Sequence, residues 1–385
     1  MSGRSLSIDL VVVIHEHNEE QILRITDIVM PHLWRCRSLT TWHNGDAVHS
    51  IFFPLPDRLE RLEKLESHAR RGVFGAFTLF TEHSAPPLRS LCFKSTCGLP
   101  SVDFVPTNTL THLDLDIIPQ TIDQTKFMQF LGRCTVLERL RLSEWIIREL
   151  VPENVIPVSL PSLKSLHVND TLALDFPMYL HTPNIVELCL SSYWDQQPEF
   201  PGVRPTILQL ETVTWDHQLL WNICHHHLMP FLSVRNLILR NCVRTLDFLC
   251  YLATGFPDEP GQTPTDHPEA IQYREPQGHH VLPQLAYLQI TEDPDCEETE
   301  PVTAAEQLKV LLGDRPSLRV TVSPCVVDDA AAFAAQFGAR FTVAKREEPR
   351  FGGMRPFSCH DVPPLNVYFP LLFRSNALEF PPLTP

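Results

Sequence analysis

Glycine is scarce in this chain of 385 residues, 14 against 35 prolines. Loops that cradle phosphate need closely spaced glycines so that the backbone can approach the anion, and neither a P-loop nor a dinucleotide fingerprint occurs. An excess of basic charge is lacking as well: 31 Lys and Arg stand against 46 Asp and Glu, a net charge of −15. That balance excludes the strongly basic field that draws a protein to nucleic acid. The longest apolar run near the start, Leu10–Ile14, is far too short to span a bilayer, and no other segment qualifies. No Gly-x-Ser-x-Gly elbow and no His-Glu-x-x-His is present, and nothing singles out two of the many acids as an acid–base pair. The expectation is a protein that is not an enzyme, with no cofactor, no nucleic-acid partner and no membrane span.

The cysteines follow the same logic. There are 11, an odd number, and no two are spaced Cys-x-x-Cys. Cys92, Cys189, Cys242 and Cys250 sit among apolar neighbours, where a reduced thiol behaves as a small hydrophobe. With no secretory leader at the N-terminus, a reducing compartment is expected, cytoplasmic or nuclear.

What the chain does contain is one short pattern, repeated. In Leu160–Val168 an apolar residue at Leu163 is followed by Leu166 and Val168. Their alternation with Ser165 and His167 is the period of a strand with one buried face. The leading apolar residue of each such rung falls at Leu88, Leu110, Leu137, Leu163, Ile185, Leu210 and Val234, at intervals of 22, 27, 26, 22, 25 and 24 residues. Proline stands two before the lead at Pro161, Pro183, Pro283 and Pro316, where it ends one segment and starts an extended one. Further rungs are expected at Leu285–Ile290, Leu318–Val322 and Arg340–Val343.

Between rungs there are helix signals: Asp123–Leu131 with Gly132 as a stop, Asp247–Ala253, Ala304–Leu312 stopped by Gly313, and Asp328–Phe337 stopped by Gly338. Near the N-terminus a strand over 5–13 leads to a helix over Glu19–Leu33 and a strand over Arg37–Trp42. Leu55, Leu59, Leu62 and Leu65 fit a helical stripe or a diverged rung, and Phe74–Phe80 reads as a strand. The expected organisation is divergent N-terminal repeats at 1–85, a regular array at 86–345 with a mobile Pro-rich insert at about 255–280, and a Pro-rich tail at 346–385.

The motif Leu-x-x-Leu-x-Leu at this spacing, met by Leu137, Leu140 and Leu142 and by Leu110, Leu113 and Leu115, resembles a leucine-rich repeat. The resemblance implies an α/β fold, an irregular solenoid with parallel strands on a concave face and helices or turns on the convex one. The Asn or Cys that usually follows such a strand is present only at Cys242; Thr96, Ile118, Trp145, Thr171 and Tyr193 stand at the same place elsewhere. The irregular rungs, together with phrases such as Pro31–Leu39, resemble the repeat array of fungal F-box proteins, whose array holds the substrate of a cullin ubiquitin ligase. No F-box is recognisable, and Ser2–Ile8 resembles the strand that follows one. The Skp adaptor is therefore expected as a partner only if an F-box lies upstream.

Two sets of residues remain as candidates for function. Cys224-His225-His226-His227 invites a metal or metal-enzyme reading, but on a helix only Cys224 and His227 share a face, so a helix flank is the plainer one. The second set is the strand face turned away from the core. Its central column is expected to hold Cys92, Asp114, Arg141, His167, Cys189, Thr214, Ile238 and Gln289. His112, Arg139, Glu187 and Tyr287 lie on one side of it, and Asp116, Asp216 and Arg240 on the other. Acids and bases alternate there, which suits a protein partner recognised by local complementarity. A remnant array with no partner is the bland alternative.

Overall fold

The computed structural model describes residues 7–14, 19–43, 53, 55–69, 78–82, 86–95, 105–117, 124–143, 157–169, 179–191, 204–211, 232–242, 282–291, 301–324 and 326–344, apart from Cys325 and Asp328 and with a few single positions between these ranges. All belong to the unit Met1–Lys345. Among them thirteen strands make one sheet in which every pairing is parallel, and the order in the sheet follows the order in the chain. The sheet runs through β1 Ile8–Ile14, β2 Cys36–His43, β3 Lys64–Ala69, β4 Ser90–Ser95, β5 His112–Ile117 and β6 Arg139–Ser143. After a separate two-residue pairing of β7 Val158–Ser159 with β9 Leu180–His181, it continues through β8 Ser165–Asn169 and β10 Glu187–Ser191. It ends with β11 Ile207–Glu211, β12 Asn236–Arg240, β13 Tyr287–Thr291, β14 Arg319–Val322 and β15 Phe341–Val343. Parallel neighbours need a crossover from the end of one strand back to the start of the next. Among the described residues, four crossovers hold a helix: α1 Glu19–Val29, α2 Gln124–Arg133, α3 Pro301–Asp314 and α4 Ala330–Phe337.

The register explains why the leucines recur. Leu39, Leu65, Leu91, Leu113, Leu140, Leu166, Leu188, Leu208, Leu237 and Leu288 are partners in successive pairings and form one buried column. Two residues on, Phe93, Leu115, Leu142, Val168, Leu190, Leu210, Leu239 and Ile290 form a second. The helices close this layer with Phe127, Phe130 and Leu131 of α2, Leu308, Leu311 and Leu312 of α3 and Phe333 of α4, all buried. At the N-terminal end the second column turns polar: Thr41 and Ser67 take its place, and their hydroxyls bond one another at 3.1 Å.

A backbone ladder fixes which residues are equivalent. The Arg89 carbonyl accepts N–H bonds from both Thr111 and His112, that of Thr111 from Glu138 and Arg139, and that of Glu138 from Lys164 and Ser165. The pattern continues through Lys164, Val186 and Thr206 to Arg235. It corrects one rung. The strand begins at Ile207, so Leu210 is the second buried residue rather than the lead, and the buried Pro205 occupies the lead position. A proline lead lacks the aliphatic signature of the other rungs, which Leu210 carries. The intervals between strand starts here are 20 and 29 residues.

Other expectations change at element ends. Leu59, Leu62 and Leu65 form a turn and a strand, with the Leu62 N–H bonding the Leu59 carbonyl at 3.0 Å, so the diverged rung holds and the helical stripe does not. Residues 78–80 of the strand expected at Phe74–Phe80 are an isolated bridge and bends. Gly132 and Gly313 lie inside α2 and α3 and stop neither helix. Only Gly338 acts as a stop, at a φ of 55° that a Cβ disfavours. Of the helix expected at Asp247–Ala253, Phe248, Leu249 and Leu252 are described, and all are buried. The insert at 255–280, the tail at 346–385 and Cys224–His227 lie outside the described residues.

Candidate functional site

The side chains between the two buried columns point to the other face of the sheet, and parallel register sets them side by side. Glu66, Cys92, Asp114, Arg141, His167, Cys189, Gln209, Ile238 and Gln289 are successive partners. His112, Arg139, Glu187 and Tyr287 flank this column at the strand starts, and Arg240 lies at a strand end. Every expected residue of the column that is described stands in it. The places expected for Thr214 and Asp216 are held by Gln209 and Glu211, because the rung begins at Ile207. The alternation Leu208-Gln209-Leu210 carries the signal that would have found them. Thr214 and Asp216 themselves lie outside the described residues.

The centre of the column is where charge is most enclosed. Arg141 Nε and Asp114 Oδ1 stand 3.9 Å apart, each buried and without a hydrogen-bond partner. Burial raises the Asp114 carboxyl above the usual carboxylate range, while Lys94 and Arg141 pull it back down. A pair this loosely joined has capacity for a further polar group between its members. One strand further on, Nε2 of His167 lies 3.1 Å from the Ser191 hydroxyl. Burial, with Arg141 and Arg240 nearby, depresses the His167 imidazole to about 4, so it is neutral at pH 7. Burial pushes the Cys189 thiol up to about 12 and keeps it protonated. The ligating atoms of His167, Cys189 and Glu211, on three adjacent strands, all lie within 4.8 Å of one another.

Toward each end the face changes character. At the N-terminal end the Trp42 and His68 rings stack at 3.8 Å and 5°, and Lys64 bonds Glu66 at 2.8 Å. Burial, then Lys94, lowers the His68 imidazole to about 4. At the C-terminal end the Tyr287 hydroxyl donates to Gln289 Oε1 at 3.3 Å, and Gln289 Nε2 donates to Thr291 at 3.1 Å. Arg139 and Arg240 are exposed, while His112, Glu187, Tyr287 and Ile238 are half-buried. His112 is lowered by burial and by Arg139, and its Nδ1 lies 2.8 Å from the Thr111 hydroxyl.

Among the described residues, no helix is long and apolar enough to cross a membrane. No family model matches the chain, and no curated protein matches it.

Proposed function

We propose that the chain is an irregular leucine-rich-repeat solenoid that binds a protein partner along the polar face of its sheet. The period of the leucine columns supports the repeat reading. So does Cys242, whose thiol lies 3.4 Å from the Leu210 carbonyl and 3.5 Å from that of Arg240. This is the role a Cys takes after the strand in such repeats.

The observation that carries the binding reading is the column from Glu66 to Gln289. It is a mainly polar strip carrying charges of both signs, with Glu66, Asp114, Arg141, His167 and Gln289 half-buried and Cys92, Cys189 and Gln209 buried, held in register by parallel pairing and bordered by the exposed Arg139 and Arg240. A mixed-sign, partly desolvated strip favours a protein surface of matching pattern over a polyphosphate, which needs one sign of charge. By the resemblance to F-box proteins, the array acts as a substrate receptor, and its adaptor contact requires an F-box.

The test is affinity capture with the full chain, with R139E/R240E, and with K309E on α3 as a control. Proteins held by the wild type and K309E but lost from the double variant support the reading. Identical capture by all three sinks it.

A further inference from the structure

We propose that His167, Cys189 and Glu211, brought together by three adjacent strands, form a zinc site on the polar face of the sheet. Each supplies a donor that zinc takes, and the N/S/O mixture excludes calcium and magnesium, which require oxygen cages. The backbone beneath is fixed. His167 pairs with Cys189, Cys189 with Gln209, and Glu211 lies two residues along the same strand with its side chain on the same face.

Tetrahedral zinc, with bonds of roughly 2.0–2.3 Å, sets its donors about 3.3–3.8 Å apart. The three donors, within 4.8 Å of one another, therefore close by about an ångström when they take the ion. With zinc on Nδ1 of His167, the Ser191 hydroxyl at 3.1 Å from Nε2 would hold the ring from the other nitrogen, the outer-shell role that orients a ligating histidine. Three protein donors leave a fourth position for water.

Charge closes as well. Lys94, Arg141 and Arg240 face the cluster with positive charge and Glu187 with negative. Zn²⁺ with one thiolate and one carboxylate is neutral, so these neighbours meet no net charge. The thiol must give up one proton to solvent as the Zn–S bond forms. Zinc binding at these three side chains requires no protein partner.

Cobalt and then zinc titrations of the chelator-treated full chain test it. The expected result is one equivalent of cobalt with a thiolate-to-metal charge-transfer band, displaced by zinc with release of about one proton per metal. C189A should lose that band, and E211Q should bind zinc more weakly than wild type by at least about ten-fold. Both variants are compared in chelator for an unchanged melting temperature; should C189A not fold, E211Q, whose side chain is partly exposed, decides. A wild type without the band, a band that persists in folded C189A, or an E211Q with wild-type affinity overturns the proposal.

Discussion

Arg315 is the clearest case of a single residue holding distant segments together. It is buried, and its guanidinium donates to the Leu282 carbonyl at 3.0 Å and the Leu252 carbonyl at 3.1 Å. R315M keeps the aliphatic packing but strands both acceptors, so unfolding should become easier by about 2–4 kcal/mol in urea titration. R315K should recover only part of that, because an ammonium lacks the fork that spans two carbonyls. A variant as stable as wild type would show that the two bonds carry no net stability.

His68 makes a second residue-scale prediction. Its imidazole is depressed from 6.5 to about 4, so the unfolded chain binds the proton first as pH falls. Its contribution to stability is therefore complete above about pH 6.5 and is lost progressively down to about pH 4. H68Q should flatten the fall of melting temperature across that window. An unchanged profile would mean that His68 titrates normally.

At the scale of elements, the rung is the unit that carries the core. Leu140 and Leu166 are neighbours in the first buried column, at 1% and 0% exposure. L166A removes a side chain whose neighbours on adjacent strands are pinned by backbone pairing and cannot collapse inward, so a cost of about 2–5 kcal/mol is expected from chemical denaturation. The cap of α4 is worth less. Asp329 Oδ1 accepts the Ala332 N–H at 2.9 Å, and D329A should cost about 1 kcal/mol.

These elements were readable in the sequence because strand alternation is local: Leu-x-Leu exposes the intervening residue whatever the neighbouring rungs do. Asp114, Arg141, His167 and Gln289 could be placed from that pattern alone. What could not be read depended on context. Pro205 fills a lead position without resembling the other leads. Gly132 and Gly313 look like stops but sit in helical turns that need no left-handed residue. The nearness of Glu211 to His167 and Cys189 depends on the register of three strands at once, and no window of sequence contains it.

On the scale of the whole molecule, the consequence of strand order following chain order is that cohesion is passed from neighbour to neighbour. Among the described residues, each interior strand hydrogen-bonds only the strand before it and the strand after it in the sheet, and β1 and β15 have a single neighbour each. The bonds between β14 and β15 span three residue pairs, whereas those between β6 and β8 span five, each with buried residues beneath. Opening an edge strand breaks one ladder; opening β8 breaks two and uncovers leucines on both sides. Local opening should therefore grow harder from the edges toward the middle. Amide exchange followed by mass spectrometry is expected to show the slowest exchange in peptides over β6, β8 and β10. Protection should fall away toward β14 and β15, and L166A should speed exchange in β6 and β10 before it is felt at β1. Uniform protection along the sheet, or loss of protection everywhere at once in L166A, would show instead that the strands open as one cooperative block.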